Sequence, residues 1–234
     1  MKNHALITGA SQGLGRAVAT LLAKRGYALT INARREEPLA AVARELSRFT
    51  VVERVAGDVS EIAEQIAERA LYRFGAPDIV INNASELGPS PMPRLEEYPW
   101  DALLQLFRVN VVAPVHLTQL LLPSMRARGR GAIVNITSDA GVNAYPGWGG
   151  YGASKAALEH ASRTLAAELE GSGIRVYVVD PGDMNTEMHR LAEPGVDLSH
   201  LPSPDSVAPA IVELLDSREP FARIEAQKRL AAAV

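Results

Sequence analysis

Short apolar segments alternate with longer amphipathic ones along most of the chain. Residues 79–81 and 176–179 are apolar at every position, which is typical of strands covered on both faces of a parallel sheet. The pattern predicts strands over residues 4–8, 28–32, 51–56, 79–82, 132–137, 175–180 and, near the end, 222–225.

Helical periodicity predicts helices between these strands, over residues 13–24, 38–47, 60–72, 100–126, 151–170 and 205–215. Pro38 suits a first helical turn, and Ser60 suits a helix N-cap. Alternating strands and helices predict an α/β fold in which residues 1–234 form one doubly wound parallel sheet, of Rossmann type, with helices on both faces. The ligand of such a fold binds at the carboxyl ends of the strands.

Composition narrows the classes of function. The chain has 234 residues, a net charge of −3 and no cysteine, which excludes thiolate nucleophiles, disulfides and cysteine-ligated zinc. No apolar segment of about 18 to 20 residues is evident, and the charge does not favour nucleic acid or a membrane as a partner. We expect a cytoplasmic protein without a metal site that acts on a small molecule.

A glycine-rich segment, Thr-Gly-Ala-Ser-Gln-Gly-Leu-Gly at residues 8–15, connects the first strand to the first helix. Glycine allows close approach to a phosphate, and a helix N-terminus offers free N–H groups and a positive dipole end. The spacing differs from the commonest dinucleotide motif, so an ordinary tight turn is the alternative. As a cofactor site, the segment would bind a pyrophosphate through Gly9, Ser11, Gln12, Gly13, Leu14 and Gly15.

The same segment also matches the nucleophile elbow of α/β-hydrolases, G-x-S-x-G, at residues 9–13. A serine hydrolase that uses Ser11 is therefore an alternative. Its position after the first strand argues against it, because no upstream segment would supply the usual oxyanion loop. His189 and His200 are candidate bases, but neither has an obvious orienting acid.

Basic residues follow the second strand, where an acidic residue would bind the ribose of NAD. Ala33 stands about 20 residues beyond the glycine turn, and Arg34 and Arg35 follow it. Because a guanidinium can bind a 2′-phosphate through two hydrogen bonds, Arg34 favours NADP(H) over NAD(H). The alternative is a pair of solvated arginines. Asp58 would bind the adenine amino group or simply precede a helix.

Tyr151 and Lys155 are four residues apart and share one helix face. A lysine cation, together with an oxidised nicotinamide, would lower the pKa of the phenol. Such a phenol can exchange a proton with an alcohol or a carbonyl near neutral pH. The spacing alone is common on helices, so its meaning depends on the surrounding residues.

Two further polar residues strengthen this interpretation. Ser138 ends a predicted strand thirteen residues before Tyr151, and its hydroxyl can donate to a substrate oxygen. Asn110 lies four residues before Pro114, which has no N–H to bond the Asn110 carbonyl. A kink is expected there, with a water on that carbonyl linking to Lys155. A turn serine and a packing kink are the alternatives.

Together these residues resemble the short-chain dehydrogenase/reductase family over residues 4–186. The matching elements occur in the family's order: Thr8, Gly9, Gly13 and Gly15, then Asp58, Asn82-Asn83-Ala84, Asn110, Ser138, Tyr151 and Lys155, and Pro181-Gly182 with Thr186. The resemblance implies a catalytic tetrad of Asn110, Ser138, Tyr151 and Lys155. It implies further cofactor contacts from Asp58, Val59, Asn83, Ala84, Pro181, Gly182 and Thr186.

The chain also departs from the family pattern. Ser85 replaces the glycine that usually follows Asn-Ala, Gln12 stands where many NADP-dependent relatives have a basic residue, and the usual C-terminal motif is absent. The family's tetramer uses that end. The helices predicted over residues 100–126 and 151–170 would form its other interface, so we expect a homodimer and possibly a homotetramer.

The sequence therefore predicts an NADP(H)-dependent oxidoreductase that reduces a ketone or aldehyde, or catalyses the reverse reaction. Tyr145 and Trp148 would shape a pocket for an apolar or ring-bearing ketone, unless they serve packing alone. Residues 183–203 would form a substrate lid, because so long a loop is unusual in a compact domain. A non-catalytic NADP(H)-binding regulator remains an alternative.

Overall fold

A computed structural model describes residues 2–217 and 219–232; Met1, Arg218, Ala233 and Val234 of the predicted domain lie outside the described residues. Within them, seven strands form one parallel sheet in the order β3-β2-β1-β4-β5-β6-β7. The strands are β1 (His4–Ile7), β2 (Ala28–Ala33), β3 (Val52–Ala56), β4 (Ile79–Asn82), β5 (Gly131–Ile136), β6 (Ile174–Asp180) and β7 (Phe221–Glu225).

Helices lie on both faces of this sheet, so the predicted doubly wound α/β fold is confirmed. They are α1 (Gly13–Lys24), α2 (Glu36–Leu46), α3 (Val59–Phe74), α4 (Trp100–Phe107), α5 (Ala113–Arg128), α6 (Gly149–Glu168), α7 (Glu187–Ala192), α8 (Pro204–Glu213) and α9 (Ala226–Ala232). The predicted cap at Ser60 is wrong. Asp58 is the N-cap of α3, and its carboxylate accepts from the Ser60 backbone N–H at 2.9 Å.

The sheet is covered by two separate apolar layers. Alternate residues of one strand face opposite layers: Ile7 packs with α1, α2 and α8, whereas Leu6 packs with α3 and α5. Both side chains are fully buried, and burying one such side chain contributes about 1.5 to 3 kcal/mol. This two-sided burial explains why the central strands are apolar at consecutive positions.

The long helical segment predicted over residues 100–126 contains a defect where the sequence predicted a kink. Between α4 and α5, Arg108–Val112 form a π-helical turn. Pro114 explains it, because a proline cannot donate to the carbonyl four residues earlier and the helix widens instead. Asn110 lies inside this turn, and its side chain is buried.

One helical run passes a composition test for a membrane span, contrary to the sequence-based expectation. Trp100–Arg128 is 29 residues long. It contains a stretch of 18 residues with a mean hydropathy of 1.2, and 44% of that stretch is buried in the fold. Its buried side chains, among them Leu117 and Leu121, belong to the apolar layer between the sheet and α3. This packing accounts for the buried part of its apolar composition.

The segment predicted as a lid is not structureless. Residues 183–203 contain the short helix α7, and Thr186 caps it by accepting from the His189 backbone N–H at 3.2 Å. Beyond α8, the strand β7 and the helix α9 complete the described chain. The sequence predicted β7 within one residue but neither α7 nor α9.

Candidate active site

The glycine turn between β1 and α1 is fastened to the end of β4. The Asn83 side-chain amide donates to the carbonyls of Thr8 at 3.0 Å and Gly9 at 3.1 Å. In return, the Thr8 hydroxyl accepts from the backbone N–H groups of Asn83 and Ala84, at 3.1 and 3.0 Å. The predicted role of Asn83 is therefore partly structural, since it holds the turn in place.

The turn depends on glycine at particular positions. Gly9 and Gly13 have φ angles of +66° and +53°, a region that other residues rarely adopt. Gly15 packs so closely that an added Cβ would overlap the Gly9 carbonyl oxygen and lie 2.5 Å from Asn83 Nδ2. Gln12 makes no side-chain cap bond to α1, so the first N–H groups of that helix keep their capacity to bind an anion.

Arg34 and Asp58 both lie at this end of the sheet, and both have partners within the protein. Arg34 Nη1 donates to Glu86 Oε1 at 2.8 Å. The Asp58 carboxylate caps α3 and also accepts from the Ser60 hydroxyl at 2.7 Å. Asp58 therefore precedes a helix, as the sequence allowed, and its side chain also lines the cleft.

Asn110 joins three segments of the chain. Its side-chain oxygen accepts from the Glu86 backbone N–H at 2.8 Å and the Ser85 hydroxyl at 3.1 Å. Its amide nitrogen donates to the Glu86 carbonyl at 2.9 Å and to the Ser154 hydroxyl at 3.0 Å. Asn110 thus fixes the segment after β4 against α6 and stands behind the cleft wall.

Tyr151 and Lys155 lie in the first two turns of α6 and are both buried. The Lys155 ammonium lies 5.4 Å from the centre of the Tyr151 ring and donates to the Ile136 carbonyl, at the end of β5, at 3.0 Å. Ser138, two residues further along, faces the same phenol. The predicted Tyr–Lys–Ser group is therefore assembled at one place.

Burial is the largest influence on the pKa values of both Tyr151 and Lys155. It raises the pKa of Tyr151; the Ser85 and Ser138 hydroxyls oppose that rise, and Asp180 and Asp139 add to it. Burial also lowers the pKa of Lys155 to about 8. The sequence predicted a lowered pKa for Tyr151, so the direction is opposite in the protein itself, because removing a phenolate from water outweighs its polar contacts.

Two carboxylates stand close to the phenol and were not predicted. Asp139 accepts from the Ser138 hydroxyl at 3.0 Å and from the Tyr145 hydroxyl at 2.7 Å. Asp180 accepts from the Gly182 backbone N–H at 2.9 Å and shapes the Pro181-Gly182 turn. Asp180 ends β6, and Asp139 lies three residues beyond the end of β5. Their position at the carboxyl ends of strands could have identified them.

The segment after β6 packs at the end of the cleft where Tyr151 lies. Tyr151 packs with Leu87, Trp148 and Met188 in a small apolar cluster. The Ser90 hydroxyl donates to the Leu191 carbonyl at 2.7 Å, which ties the segment after β4 to α7. Thr186, predicted to contact the cofactor, uses its hydroxyl to cap α7.

One cleft of about 1170 Å³ contains most of the predicted site. The predicted site residues that line it are Gly9, Ser11, Gln12, Gly13, Leu14, Arg34, Asp58, Val59, Asn83, Ala84, Ser138, Tyr151, Lys155, Pro181, Gly182 and Thr186. Gly15 and Asn110 do not line it but support its wall. Among the described residues, no cluster of three His, Asp or Glu side chains is arranged to bind a metal.

Two other residues of the site escaped the sequence analysis. Glu86 lines the cleft, and Gln227 donates to the carbonyls of Pro181 at 3.1 Å and Asp183 at 2.7 Å. Glu86 directly follows the Asn-Asn-Ala-Ser segment, so its position was a usable signal. Gln227 comes from α9, and nothing local in the sequence connects it to the turn after β6.

The hydrolase alternative gains a candidate acid but no catalytic pair. His189 lies 3.8 Å from Asp183 and 3.4 Å from Glu193, so the structure places beside it two carboxylates that were not obvious partners in the sequence. Among the hydrogen bonds of residues 2–217 and 219–232, however, none joins Ser11 to His189. A serine nucleophile needs such a contact to its base.

The fold and its cleft define a Rossmann-type α/β domain whose polar side chains gather at the carboxyl ends of the strands. A family model described as short chain dehydrogenase matches residues 3–196. The chain therefore belongs to the short-chain dehydrogenase/reductase family of oxidoreductases, as the motifs predicted.

Individual relatives agree with this assignment. Sulfoacetaldehyde reductase 2 of Chromohalobacter salexigens is 36% identical over 80% of this chain and 75% of its own length. A 3-oxoacyl-acyl-carrier-protein reductase of Staphylococcus epidermidis is 34% identical over 80% and 78%. Among solved structures, a short-chain dehydrogenase from Shigella flexneri in complex with NADP has a TM-score of 0.88 and 31% identity, covering 96% of this chain and 97% of its own.

A matched pair of glycine substitutions tests which glycine the turn needs for close packing. We expect Gly15→Ala to destabilise the protein by at least about 2 kcal/mol, because its methyl group would overlap backbone. We expect Gly13→Ala to cost only about 1 kcal/mol, from its left-handed backbone, because its Cβ would meet only the Thr186 methyl group, at 3.8 Å. Urea unfolding followed by circular dichroism measures both values. Equal destabilisation would contradict this account of the turn.

Proposed function

We propose that this protein is an NADP(H)-dependent oxidoreductase that reduces a ketone or aldehyde to an alcohol, or catalyses the reverse reaction. The observation that carries the proposal is the shared cleft: the glycine turn and Arg34 lie at one end, and Tyr151, Lys155 and Ser138 lie at the other. One extended dinucleotide can reach both ends of such a cleft.

The residues present fit a dinucleotide. The glycine turn and the N-terminus of α1 offer N–H groups for a pyrophosphate, and Arg34 offers a guanidinium for a 2′-phosphate. Gly13 has open space on its Cβ side, with only the Thr186 methyl group within 4 Å. When bound, NADPH would supply the hydride. Solved relatives from Shigella flexneri and Escherichia coli contain NADP and NADPH, which supports this cofactor.

The chain's own residues would handle the proton and the substrate oxygen. Ser138 would donate a hydrogen bond to the carbonyl oxygen, after turning its hydroxyl away from Asp139. Tyr151 would donate its proton to the same oxygen as the carbonyl carbon accepts hydride. Lys155 would then return a proton to the phenolate, and its lowered pKa makes that transfer easier. Asn110 would hold the wall of the site in register.

The surroundings of Tyr151 indicate the kind of substrate. Leu87, Trp148 and Met188 offer apolar contact, whereas Asp139 places a carboxylate near the reacting oxygen. The names of two relatives, a sulfoacetaldehyde reductase and a 3-oxoacyl-acyl-carrier-protein reductase, support the direction of reduction. We propose a small carbonyl compound with an apolar part as the substrate.

Cofactor consumption with a panel of ketones and aldehydes tests this function. We expect faster turnover with NADPH than with NADH for any substrate that is accepted. Tyr151→Phe should lower kcat/KM by at least about a hundredfold, because the proton donor is lost, while NADPH binding measured by fluorescence persists. If Tyr151→Phe retained full turnover, the proposed chemistry would be wrong.

A pH profile tests the role assigned to Lys155. Burial lowers its pKa to about 8, so the ammonium is charged at neutral pH and loses its proton as the pH rises through that value. Tyr151 remains protonated over the same range, because its pKa is raised. We expect kcat/KM for reduction to fall as the pH rises above about 8.

Lys155→Arg is the control for this profile. A guanidinium remains charged above pH 12, so the variant should be slower at every pH but should lose the decline near pH 8. Circular dichroism establishes that the variant is folded. A decline that stays near the same pH in Lys155→Arg would assign the titration to another group.

We also propose a cytoplasmic homodimer, with a tetramer as a further possibility. Trp100 and Leu104 lie four positions apart on α4, and Val112 ends the π-helical turn eight positions further along. Their side chains are 74%, 62% and 57% exposed. A contiguous apolar patch of this kind is typical of a surface that another protein covers.

Substitution in this patch tests the dimer. Trp100→Glu should convert the dimer to a monomer in sedimentation velocity, because it places a charge in the apolar contact. Phe49→Glu is the matched control, since Phe49 is also exposed, at 49%, but follows α2 on the other side of the sheet. A wild-type protein that sediments as a monomer would exclude this proposal.

A further inference from the structure

An ion pair bridges the cleft at the end where the glycine turn lies. Arg34 follows β2 and Glu86 follows β4, and their side chains meet at 2.8 Å. In the sheet, β1 lies between these two strands. Strands separated by one neighbour are roughly 10 Å apart, so the pair crosses the carboxyl end of β1, where the glycine turn begins.

The two partners differ in their access to solvent. The side chain of Arg34 is 65% exposed, whereas that of Glu86 is 21% exposed. Burial raises the pKa of Glu86; Arg34 acts against that rise, and the Asp58 carboxylate adds to it. The ion pair therefore stabilises the charged form of Glu86, because the guanidinium offsets the charge of a half-buried carboxylate.

We propose that Glu86 is a cofactor-specificity residue, which competes with the 2′-phosphate of NADP(H) for Arg34. The inference rests on the proposed function, since it takes Arg34 as the phosphate-binding group. The carboxylate of Glu86 already binds the guanidinium of Arg34, at 2.8 Å. A 2′-phosphate gains Arg34 only by displacing that carboxylate, whereas a 2′-hydroxyl has no such competitor. Glu86 therefore narrows the preference for NADP(H) over NAD(H).

The backbone contacts of Glu86 limit how its side chain can move away from Arg34. Its backbone N–H and carbonyl are both bonded to the Asn110 side chain, at 2.8 and 2.9 Å. The backbone therefore stays in place, and only the side chain can turn away from Arg34. After turning it remains beside the cleft, where a phosphate monoester carrying about one and a half to two negative charges would repel it.

Binding of nucleotide fragments tests this competition without turnover. Isothermal titration calorimetry with adenosine 2′,5′-bisphosphate and with 5′-AMP compares a ligand that has the 2′-phosphate with one that lacks it. We expect Glu86→Gln to tighten binding of the bisphosphate by about three- to tenfold, from the freed guanidinium and the lost repulsion. Binding of 5′-AMP should change by less than about twofold.

Arg34→Ala separates this inference from the proposed function. It should weaken binding of the bisphosphate and not of 5′-AMP; if it changes neither, the NADP(H) assignment itself fails. In the Arg34→Ala background, Glu86→Gln should increase the affinity for the bisphosphate by less than it does in the wild-type protein, because no guanidinium is left to release. If Arg34 matters but Glu86→Gln gives no gain, the competition is refuted while the proposed function stands.

Glu53→Gln is the matched control. Glu53 is also ion-paired to an arginine, Arg69, and its side chain is 16% exposed, but it lies on β3 and does not line the cleft. The variant changes the net charge by the same amount as Glu86→Gln. An equal gain in affinity from Glu53→Gln would reduce the effect to overall charge and overturn the proposal.

Discussion

The common direction of the seven strands is the constraint on which the cleft depends. Because the described strands are parallel, each carboxyl end opens onto the same edge, and the side chains that follow the strands are brought together. The contact between Asn83 and the carbonyls of Thr8 and Gly9 then fixes the glycine turn to the neighbouring strand. Residues as distant in the chain as Arg34 and Lys155 consequently share one cavity.

At the buried end of that cavity, the surroundings disfavour charge on Tyr151 and Lys155. Burial favours the neutral forms of both Tyr151 and Lys155, and Asp139 and Asp180 disfavour a phenolate still further. A neutral phenol beside a lysine whose pKa is lowered to about 8 is suited to donating a proton and not to storing negative charge. This balance supports the proposed role of Tyr151 as the proton donor in reduction.

Much of the fold and part of the site could be predicted from the sequence, for identifiable reasons. Consecutive apolar residues revealed the central strands, and Pro114 revealed the defect beside Asn110. The pairing of Arg34 with Glu86 could not be predicted, because it joins residues 52 positions apart through long side chains whose reach depends on the sheet order. The raised pKa of Tyr151 could not be predicted, because its burial comes from segments that are distant in the chain, among them those of Leu87 and Met188.

Glu86 connects the two ends of the cleft. Its backbone is bonded to Asn110, which in turn bonds the Ser154 hydroxyl on the helix that carries Tyr151. Its side chain reaches Arg34 at the opposite end. The backbone of Glu86 cannot move at one end of the cleft without disturbing the other end. Movement at the end where Arg34 lies is therefore confined to the Glu86 side chain. Discrimination between cofactors can therefore change through this carboxylate while the geometry around Tyr151 is preserved.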